Sequence, residues 1–150
     1  MPQIRPFRHS VAAAGLAALS LVPALPATAQ DAAQFSLDLN TVGETTGGGC
    51  RLTFVANNGT GQELAQTAYE VAVFDAGGGF KKLLVLQFGA LTVGKTKVVQ
   101  FDLADLGCAD MGQIIVNNVA ACTLADGTGE SEICMSGLVT SSRTTIQFSI

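Results

Sequence analysis

Hydrophobic and polar residues alternate along most of the chain from residue 34 onward, and turn residues separate the alternating segments. Phe35, Leu37 and Leu39, for example, alternate with polar neighbours. A period of two puts every second side chain on the same face of a strand, so each segment predicts a β-strand with one buried face. The predicted strands are 34–40, 50–57, 68–75, 83–88, 96–103, the two arms of a hairpin within 113–139, and 143–150.

About eight short strands with turn signals between them are typical of a β-sandwich. The helical patterns are short: Thr60 and Glu63 favour a capped turn or two over 61–66, and 104–111 has the pattern of a corner with a helical turn. We therefore predict an all-β fold, a single sandwich domain. The same periodicity also fits a small closed barrel, which is the alternative.

The stretch 113–139 predicts a β-hairpin that two cysteines bracket. An apolar run leads into Cys122, a turn-rich loop follows, and Cys134 opens a second apolar run. Asn117 and Asn118 interrupt the first run. An inward asparagine would need hydrogen-bond partners, so these residues indicate either a bulge or exposure at a sheet edge, and we favour a structural role for them.

The N-terminus has the three parts of a cleaved secretory signal. Residues 1–29 begin with a basic segment, continue with an apolar stretch and end on the small residues Ala27 and Ala29. Two prolines interrupt the apolar stretch before it reaches the ~20 residues that a membrane span needs. We predict cleavage before Gln30, a domain over residues 30–150, and a periplasmic or secreted location with no membrane span.

The predicted mature part is acidic. Residues 30–150 contain all 12 acidic residues and six of the eight basic residues, which gives them a formal charge of −6. An acidic surface repels the phosphate groups of nucleic acids. We therefore expect no nucleic-acid partner.

Four cysteines, Cys50, Cys108, Cys122 and Cys134, follow the predicted cleavage site. An even number of cysteines in an exported chain favours two disulfides. Zinc binding is disfavoured, because the intervals of 57, 13 and 11 residues contain no close ligand pair and His9 leaves with the signal. If successive strands run up and down between two ends, Cys50 meets Cys108 at one end and Cys122 meets Cys134 at the other. This is the pairing we favour among the three possible ones.

The predicted mature domain contains no histidine, so it cannot build a Ser-His-Asp or Cys-His arrangement. Its lysines lie beside turns, where a solvated charge is their ordinary role. Acidic residues gather within 102–110 and 126–132, but they lack the alternating spacing of a calcium loop. Asn58-Gly59-Thr60 matches a glycosylation acceptor, and we interpret it as a turn. We predict a chain that is not an enzyme, with no catalytic residue, metal site or cofactor.

A resemblance to the small exported immunoglobulin-like sandwich domains of Gram-negative bacteria lies in three segments, CRLTFVANN, AYEVAVFDAGG and QIIVNNVAAC. An asparagine-ended second strand, followed by a strand that leads to Phe74, Asp75 and glycines, is similar to FxLYD-type domains. The chain departs from the pattern, because it lacks the Phe-x-Leu-Tyr-Asp core and the tryptophan of true immunoglobulin domains. The resemblance implies an immunoglobulin-like sandwich. It transfers no functional residue, and domains of this kind mostly mediate interactions.

These observations predict a non-catalytic binding or accessory module, monomeric and stabilised by two disulfides, whose partner is an unknown protein or cell-envelope component. The alternative is a fimbria-like structural subunit. In that case the strand with Phe35, Leu37 and Leu39 would be donated to a neighbour, and the strand with Ile146 and Phe148 would be recognised by a chaperone. We favour a complete sandwich in which both segments are ordinary strands.

Overall fold

The computed structural model describes residues 34–129 and 132–150, and the predicted signal at 1–29 lies outside the described residues. The described residues form eight strands, a 3₁₀ turn and a short helix. In chain order these are β1 (Phe35–Glu44), β2 (Cys50–Asn58), β3 (Leu64–Phe74), β4 (Phe80–Gln87), β5 (Thr96–Leu103), the 3₁₀ turn (Cys108–Asp110), β6 (Gln113–Leu124), α1 (Ile133–Ser136), β7 (Leu138–Ser142) and β8 (Gln147–Ser149).

The strands form two four-stranded sheets. The first sheet has the order β5-β2-β1-β7, and the second has the order β4-β3-β6-β8. Within the sheets, β1 pairs antiparallel with β2, β2 with β5, and β3 with both β4 and β6. The predicted all-β sandwich is confirmed, and the closed-barrel alternative is wrong.

The core lies between the sheets and consists of the inward positions that the alternation predicts. Phe54 of β2 is fully buried and packs edge to face against Phe88, Phe101 and Phe148. The ring centroids lie 5.6, 5.9 and 5.2 Å from that of Phe54. Burial of one such side chain contributes about 1.5–3 kcal/mol. Because Phe54 belongs to the first sheet and Phe148 to the second, this cluster holds the two sheets together without a tryptophan.

The two disulfides are those that the strand directions predict, Cys50–Cys108 and Cys122–Cys134. Cys50 begins β2 opposite Leu103, the last residue of β5, so the chain that leaves β5 delivers Cys108 to the same end of the sandwich. Cys122 lies near the end of β6, and Cys134 lies in α1. The disulfides therefore tie down opposite ends of the fold.

The predicted β-hairpin at 113–139 is wrong. β6 pairs with β3 and β8, whereas β7 pairs in parallel with β1 in the other sheet. Cys134 opens no strand, because it lies in α1, and this helix carries the chain from the second sheet to the first. The hydroxyl of buried Tyr69 donates a 2.6 Å hydrogen bond to the carbonyl oxygen of Cys134. This bond and the disulfide together anchor the crossover against the core.

Residues 61–66 form a turn and the start of β3, so the predicted short helix is wrong. The side-chain amide of buried Asn58 donates to the carbonyl oxygens of Gln62 at 2.8 Å and Leu91 at 2.9 Å. Its Oδ1 accepts from the N–H and the hydroxyl of Thr60 at 3.1 and 2.6 Å. These bonds satisfy the buried amide and hold a tight turn, which confirms the interpretation of this segment as a turn.

Asn117 forms a bulge in β6. Val116 pairs with Val71 and Asn118 pairs with Glu70, so Asn117 is the extra residue between them. Both asparagines are exposed. The Asn117 amide donates a hydrogen bond to the carboxylate of Glu70 on β3. The two asparagines thus combine the bulge and the exposure that the sequence left open, and their role is structural.

Candidate binding surface

The outer face of the first sheet is mainly polar, and its polar side chains bond to one another across the strands. Its exposed apolar residues, Val98 and Val139, lie apart on the two outer strands β5 and β7. Arg51 donates two hydrogen bonds to Asp102, at 2.6 and 2.7 Å. Gln100 donates to the hydroxyl of Thr53 at 3.1 Å. A groove of about 440 Å³ lies on this face, and these same paired residues line it together with residues of β1 and the loop that follows. Cross-strand pairs of this kind stabilise a sheet and leave its polar groups occupied.

Asp38 extends this polar network to β7. Its carboxylate accepts hydrogen bonds from Asn40 at 3.0 Å, Ser141 at 2.7 Å and Arg143 at 3.2 Å. Burial alone would raise the pKa of Asp38, but the hydrogen bonds and the Arg143 charge outweigh burial and hold the pKa below its usual value. Hydrogen bonds from its guanidinium partner likewise lower the pKa of Asp102. Both carboxylates are therefore ionised acceptors at neutral pH.

The outer face of the second sheet is apolar over three strands. Leu83 of β4, Ala72 of β3 and Ile115 of β6 lie in one row across these strands. Phe74 and Phe80 pack edge to face at the end of the sheet, with ring centroids 5.9 Å apart. Phe80, Leu83 and Val85 are 59%, 49% and 46% exposed. We call this surface the apolar face, and its residues are Ala72, Phe74, Phe80, Leu83, Val85 and Ile115.

A charged residue, Glu70, lies beside the apolar face. It pairs in register with Val85, and its carboxylate accepts the hydrogen bond from Asn117. That bond occupies the carboxylate and leaves the neighbouring surface predominantly apolar. Single exposed apolar residues are ordinary on protein surfaces, whereas a contiguous apolar patch on one face is typical of an interaction site.

The residues that the sequence suggested for chemistry are dispersed. Lys82 and Asp105 form an ion pair at 2.7 Å, and Lys97 donates to the carbonyl oxygens of Phe88 and Ala90 at 2.7 and 3.1 Å. Among the residues that the structure describes, no group of three or more His, Cys, Asp or Glu side chains could hold a metal ion. The four cysteines are all in disulfides.

Phe80, Leu83 and Val85 are candidates that the sequence pattern alone did not distinguish from core residues. The signal lies in 83–86, where four consecutive residues are apolar. A half-buried strand alternates, so a continuous apolar run indicates apolar side chains on both faces. Such a run fits a strand covered on both sides as well as an edge strand with an exposed apolar face, and the sheet order decides between them.

No protein-family model matches this sequence. No curated protein matches it at a significant level. Among solved structures, the chain is similar to IrmA from Escherichia coli, with a TM-score of 0.55 and 12% sequence identity over 71% of this chain and 90% of IrmA. At this identity the similarity is one of fold alone. Within the described part of the chain, none of the helices is long and apolar enough to cross a membrane.

Proposed function

We propose that this chain is an exported, non-catalytic binding module whose partner docks on the apolar face. The observation that carries the proposal is the contrast between the two outer faces. On the first sheet, exposed Val98 and Val139 lie on opposite outer strands with bonded polar side chains between them, whereas Phe80, Leu83 and Val85 of the second sheet lie along one strand. Contiguous exposed apolar area favours aggregation unless a partner covers it, which gives this surface a reason to be a binding site.

Export is supported by the signal pattern at 1–29 and by the two disulfides. Disulfides form and persist in oxidising compartments and are rare in the reducing cytoplasm. A chain with two of them is suited to the periplasm or the cell exterior, and we propose one of these locations.

The proposed partner is a protein or another cell-envelope component, bound by a monomer. Aromatic and aliphatic side chains at the centre and polar groups at the rim are the usual composition of an interface. Phe80, Leu83 and Val85 fit the centre, and Gln87 and Asn118 fit the rim. An immunoglobulin-like, FxLYD-type character of the sandwich belongs to the same proposal, because such domains mostly mediate interactions.

A non-enzymatic role is supported by the lack of histidine in residues 30–150. Histidine is the commonest general base, and its loss removes the usual partner of a serine or cysteine nucleophile. Turnover of a substrate by the purified protein, abolished by a single substitution, would contradict this part of the proposal.

The fimbria-like alternative has less support. β1 lies between β2 and β7 in its own sheet, and its side chains Phe35, Leu37 and Leu39 are at most 1% exposed. β8 pairs with β6 of the same chain. Donation of β1 to a neighbour would remove the centre of the first sheet, so we propose the binding module first.

Affinity capture from the envelope of the exporting cell tests the proposed function. The wild-type protein, Leu83→Ser/Val85→Ser and the matched control Val55→Ser/Val98→Ser are immobilised, and the captured protein is identified, purified and titrated by calorimetry. We expect the apolar-face variant to bind that partner at least roughly tenfold more weakly, as for loss of about 1.4 kcal/mol at an interface centre. Equal affinity of all three proteins would overturn the apolar face as the binding site.

A further inference from the structure

Most sheet edges in the described structure carry features that deter pairing with another chain. At the start of β5, the ammonium of Lys97 donates to the carbonyl oxygens of Phe88 and Ala90 and holds the loop beside the strand. β7 is only five residues long. The part of β6 beyond β8 carries bulges at Asn117 and Ala120. Covered, short and bulged edges are the usual protection against strand pairing.

β4, the outer strand of the second sheet, has an irregularity only at its start, where Lys81 is an extra residue between the pairs of Phe80 and Lys82 with β3. It pairs with β3 in unbroken register from Lys82 to Gln87. Residues 83–87 within it are uncharged. A long, regular edge strand with apolar side chains is a template for a further strand. The edge strand β5 also pairs in unbroken register, but it carries Lys97 and Asp102. β4 therefore offers the uncharged, apolar edge of this fold.

Along β4, the backbone N–H and C=O groups of alternate residues point away from β3, toward the open edge of the sheet. The N–H of Phe88 donates to the carbonyl oxygen of Thr67 at 2.9 Å, which sets the alternation of the ladder. Because hydrogen-bonded and non-hydrogen-bonded pairs alternate along an antiparallel ladder, every second residue of β4 bonds to β3 and the others face the open edge. The residues whose N–H and C=O groups face the open edge are Leu83, Val85 and Gln87.

The ammonium group of Lys81 lies at one end of this edge and is only weakly paired. The Nζ atom of Lys81 is 3.9 Å from the Asp75 carboxylate, in an exposed pair that contributes little. The Nζ atom of Lys82, in contrast, forms an ion pair with the Asp105 carboxylate at 2.7 Å. The edge thus presents unpaired backbone groups, the side chains of Leu83 and Val85, and the ammonium of Lys81 at the start of the strand.

We propose that β4 binds an extended polypeptide segment by strand addition. This inference rests on the proposed binding function and specifies the partner's chemistry. The segment has apolar residues at alternate positions, which extend the row of Leu83 and Val85, and a carboxylate that faces Lys81. Main-chain hydrogen bonds supply affinity in this mode, and the alternate side chains supply specificity.

Charge distinguishes this partner from a second copy of the chain. A two-fold self-pairing that sets Leu83 opposite Val85 sets Lys81 opposite Gln87, so the second copy supplies no carboxylate to the Lys81 ammonium. Two copies also repel each other through their formal charge of −6 over residues 30–150. A segment of another protein that has an acidic residue can supply a carboxylate to Lys81, and it avoids the repulsion between two copies of this chain.

Amide hydrogen exchange of the isotope-labelled exported protein tests the inference. The probe is a synthetic peptide of about nine residues with valine at alternate positions, threonine between them and one glutamate placed to face Lys81. At a peptide concentration of 100 times Kd, we expect roughly 100-fold slower exchange at Leu83, Val85 and Gln87, because only the unbound fraction exchanges. A peptide with lysine in place of the glutamate should bind roughly threefold more weakly.

Two variants check that β4 is the element involved. Val85→Pro removes an N–H that β3 does not use, so the fold should persist while peptide binding is lost. Val85→Lys places a charge on the edge and should also weaken binding, whereas Val98→Lys on β5 should not. The second pair keeps the test decisive if the proline variant fails to fold.

Three outcomes would overturn strand addition. One is unchanged exchange at millimolar peptide, and another is slowing that grows with protein concentration in the absence of peptide, which would make a second copy the occupant. The third is binding of the captured partner that depends on Leu83 and Val85 side chains while the amides of Leu83, Val85 and Gln87 keep their exchange rates. That third result refutes the edge mode and leaves the proposed binding function intact.

Discussion

The two outer faces of the sandwich are built on the same strand periodicity and differ in surface chemistry, because exposed apolar side chains are neighbours only on the second sheet. On the first sheet, Arg51 donates to Asp102, and Asp38 accepts from Ser141 and Arg143. On the second sheet, Leu83 and Val85 occupy the equivalent outward positions and have no polar groups to bond. Polar side chains that bond to one another need no partner to satisfy their hydrogen bonds. Covering an apolar face with a partner, in contrast, lowers the free energy of the system.

Under the proposed function, this difference divides stability and binding between the two sheets of one small domain. The polar face adds cross-strand stability and solubility to the first sheet. The exposed residues of the apolar face, Phe80, Leu83 and Val85, contribute less to stability, because about half of each side chain remains in water in the free protein. If the account is correct, substitutions on the two faces should separate stability from binding.

The largest expected effects on the free energy of unfolding come from removing the two disulfides. We expect Cys50→Ser/Cys108→Ser to lower the free energy of unfolding by roughly 4 kcal/mol and Cys122→Ser/Cys134→Ser by roughly 3 kcal/mol, because the first disulfide closes the longer loop. The sequence separations are 58 and 12 residues. Urea unfolding of the oxidised wild type and both variants measures this order. A reversed order would show that strain or residual structure, and not loop length, dominates.

The next largest effect tests the crossover helix α1, which connects the second sheet to the first. Tyr69→Phe removes the hydroxyl that bonds to the Cys134 carbonyl and leaves that buried acceptor unpaired, so we expect a loss of about 1–2 kcal/mol. Thr67→Val is the matched control on the same strand, because the buried Thr67 hydroxyl has no hydrogen-bond partner in the described structure. The control should be neutral or more stable by about 1 kcal/mol. Equal losses in both variants would contradict the role of the Tyr69 bond.

Acid should weaken the hydrogen bonds of the Asp38 and Asp102 carboxylates on the polar face. Asp38 and Asp102 have a folded pKa below the usual value, so each stabilises the fold above about pH 4 and loses that contribution as the pH falls through its folded pKa. Asp38→Asn and Asp102→Asn should therefore show a shallower acid loss of stability than wild type, measured by urea midpoints between neutral and acidic pH. Gln100→Ala, an uncharged change on the same face, should parallel wild type. Parallel curves for all four proteins would contradict the assignment.

The smallest effect on stability is expected on the apolar face. Leu83→Ser/Val85→Ser should change the free energy of unfolding by only about 0.5–1 kcal/mol, since both side chains are already half in water. The same variant should elute earlier than wild type from a hydrophobic-interaction column. Val55→Ser/Val98→Ser provides the control on the first sheet. If only the control variant eluted earlier than wild type, the first sheet would be the face that binds the column, which would contradict the prediction.

Local patterns predicted the parts of this structure that depend on local geometry. The alternation around Phe35, Leu37 and Leu39 identified a buried face, because the pleat alone determines which side chains share a side. Strand direction was enough to pair Cys50 with Cys108, since direction changes at every tight turn. Neither inference needed to know which sheet a strand belongs to.

The misplaced elements depend on contacts between distant parts of the chain. The hairpin failed because α1 moves the chain into the other sheet, and the bond that holds it joins Tyr69 to Cys134, 65 residues apart. The apolar face was missed because a run such as 83–86 has the same pattern on a covered central strand and on an exposed edge strand. Sheet order, which no local pattern encodes, distinguishes the two.

Site-specific photocrosslinking in living cells that produce this protein shows whether a partner contacts the apolar face. A photoreactive amino acid is placed at Leu83 on the apolar face or at Val98 on the first sheet, two outward positions that are 49% and 62% exposed. If a partner docks on the apolar face, we expect one discrete covalent adduct from position 83 and none from position 98. An adduct from position 98 with none from position 83 would contradict it.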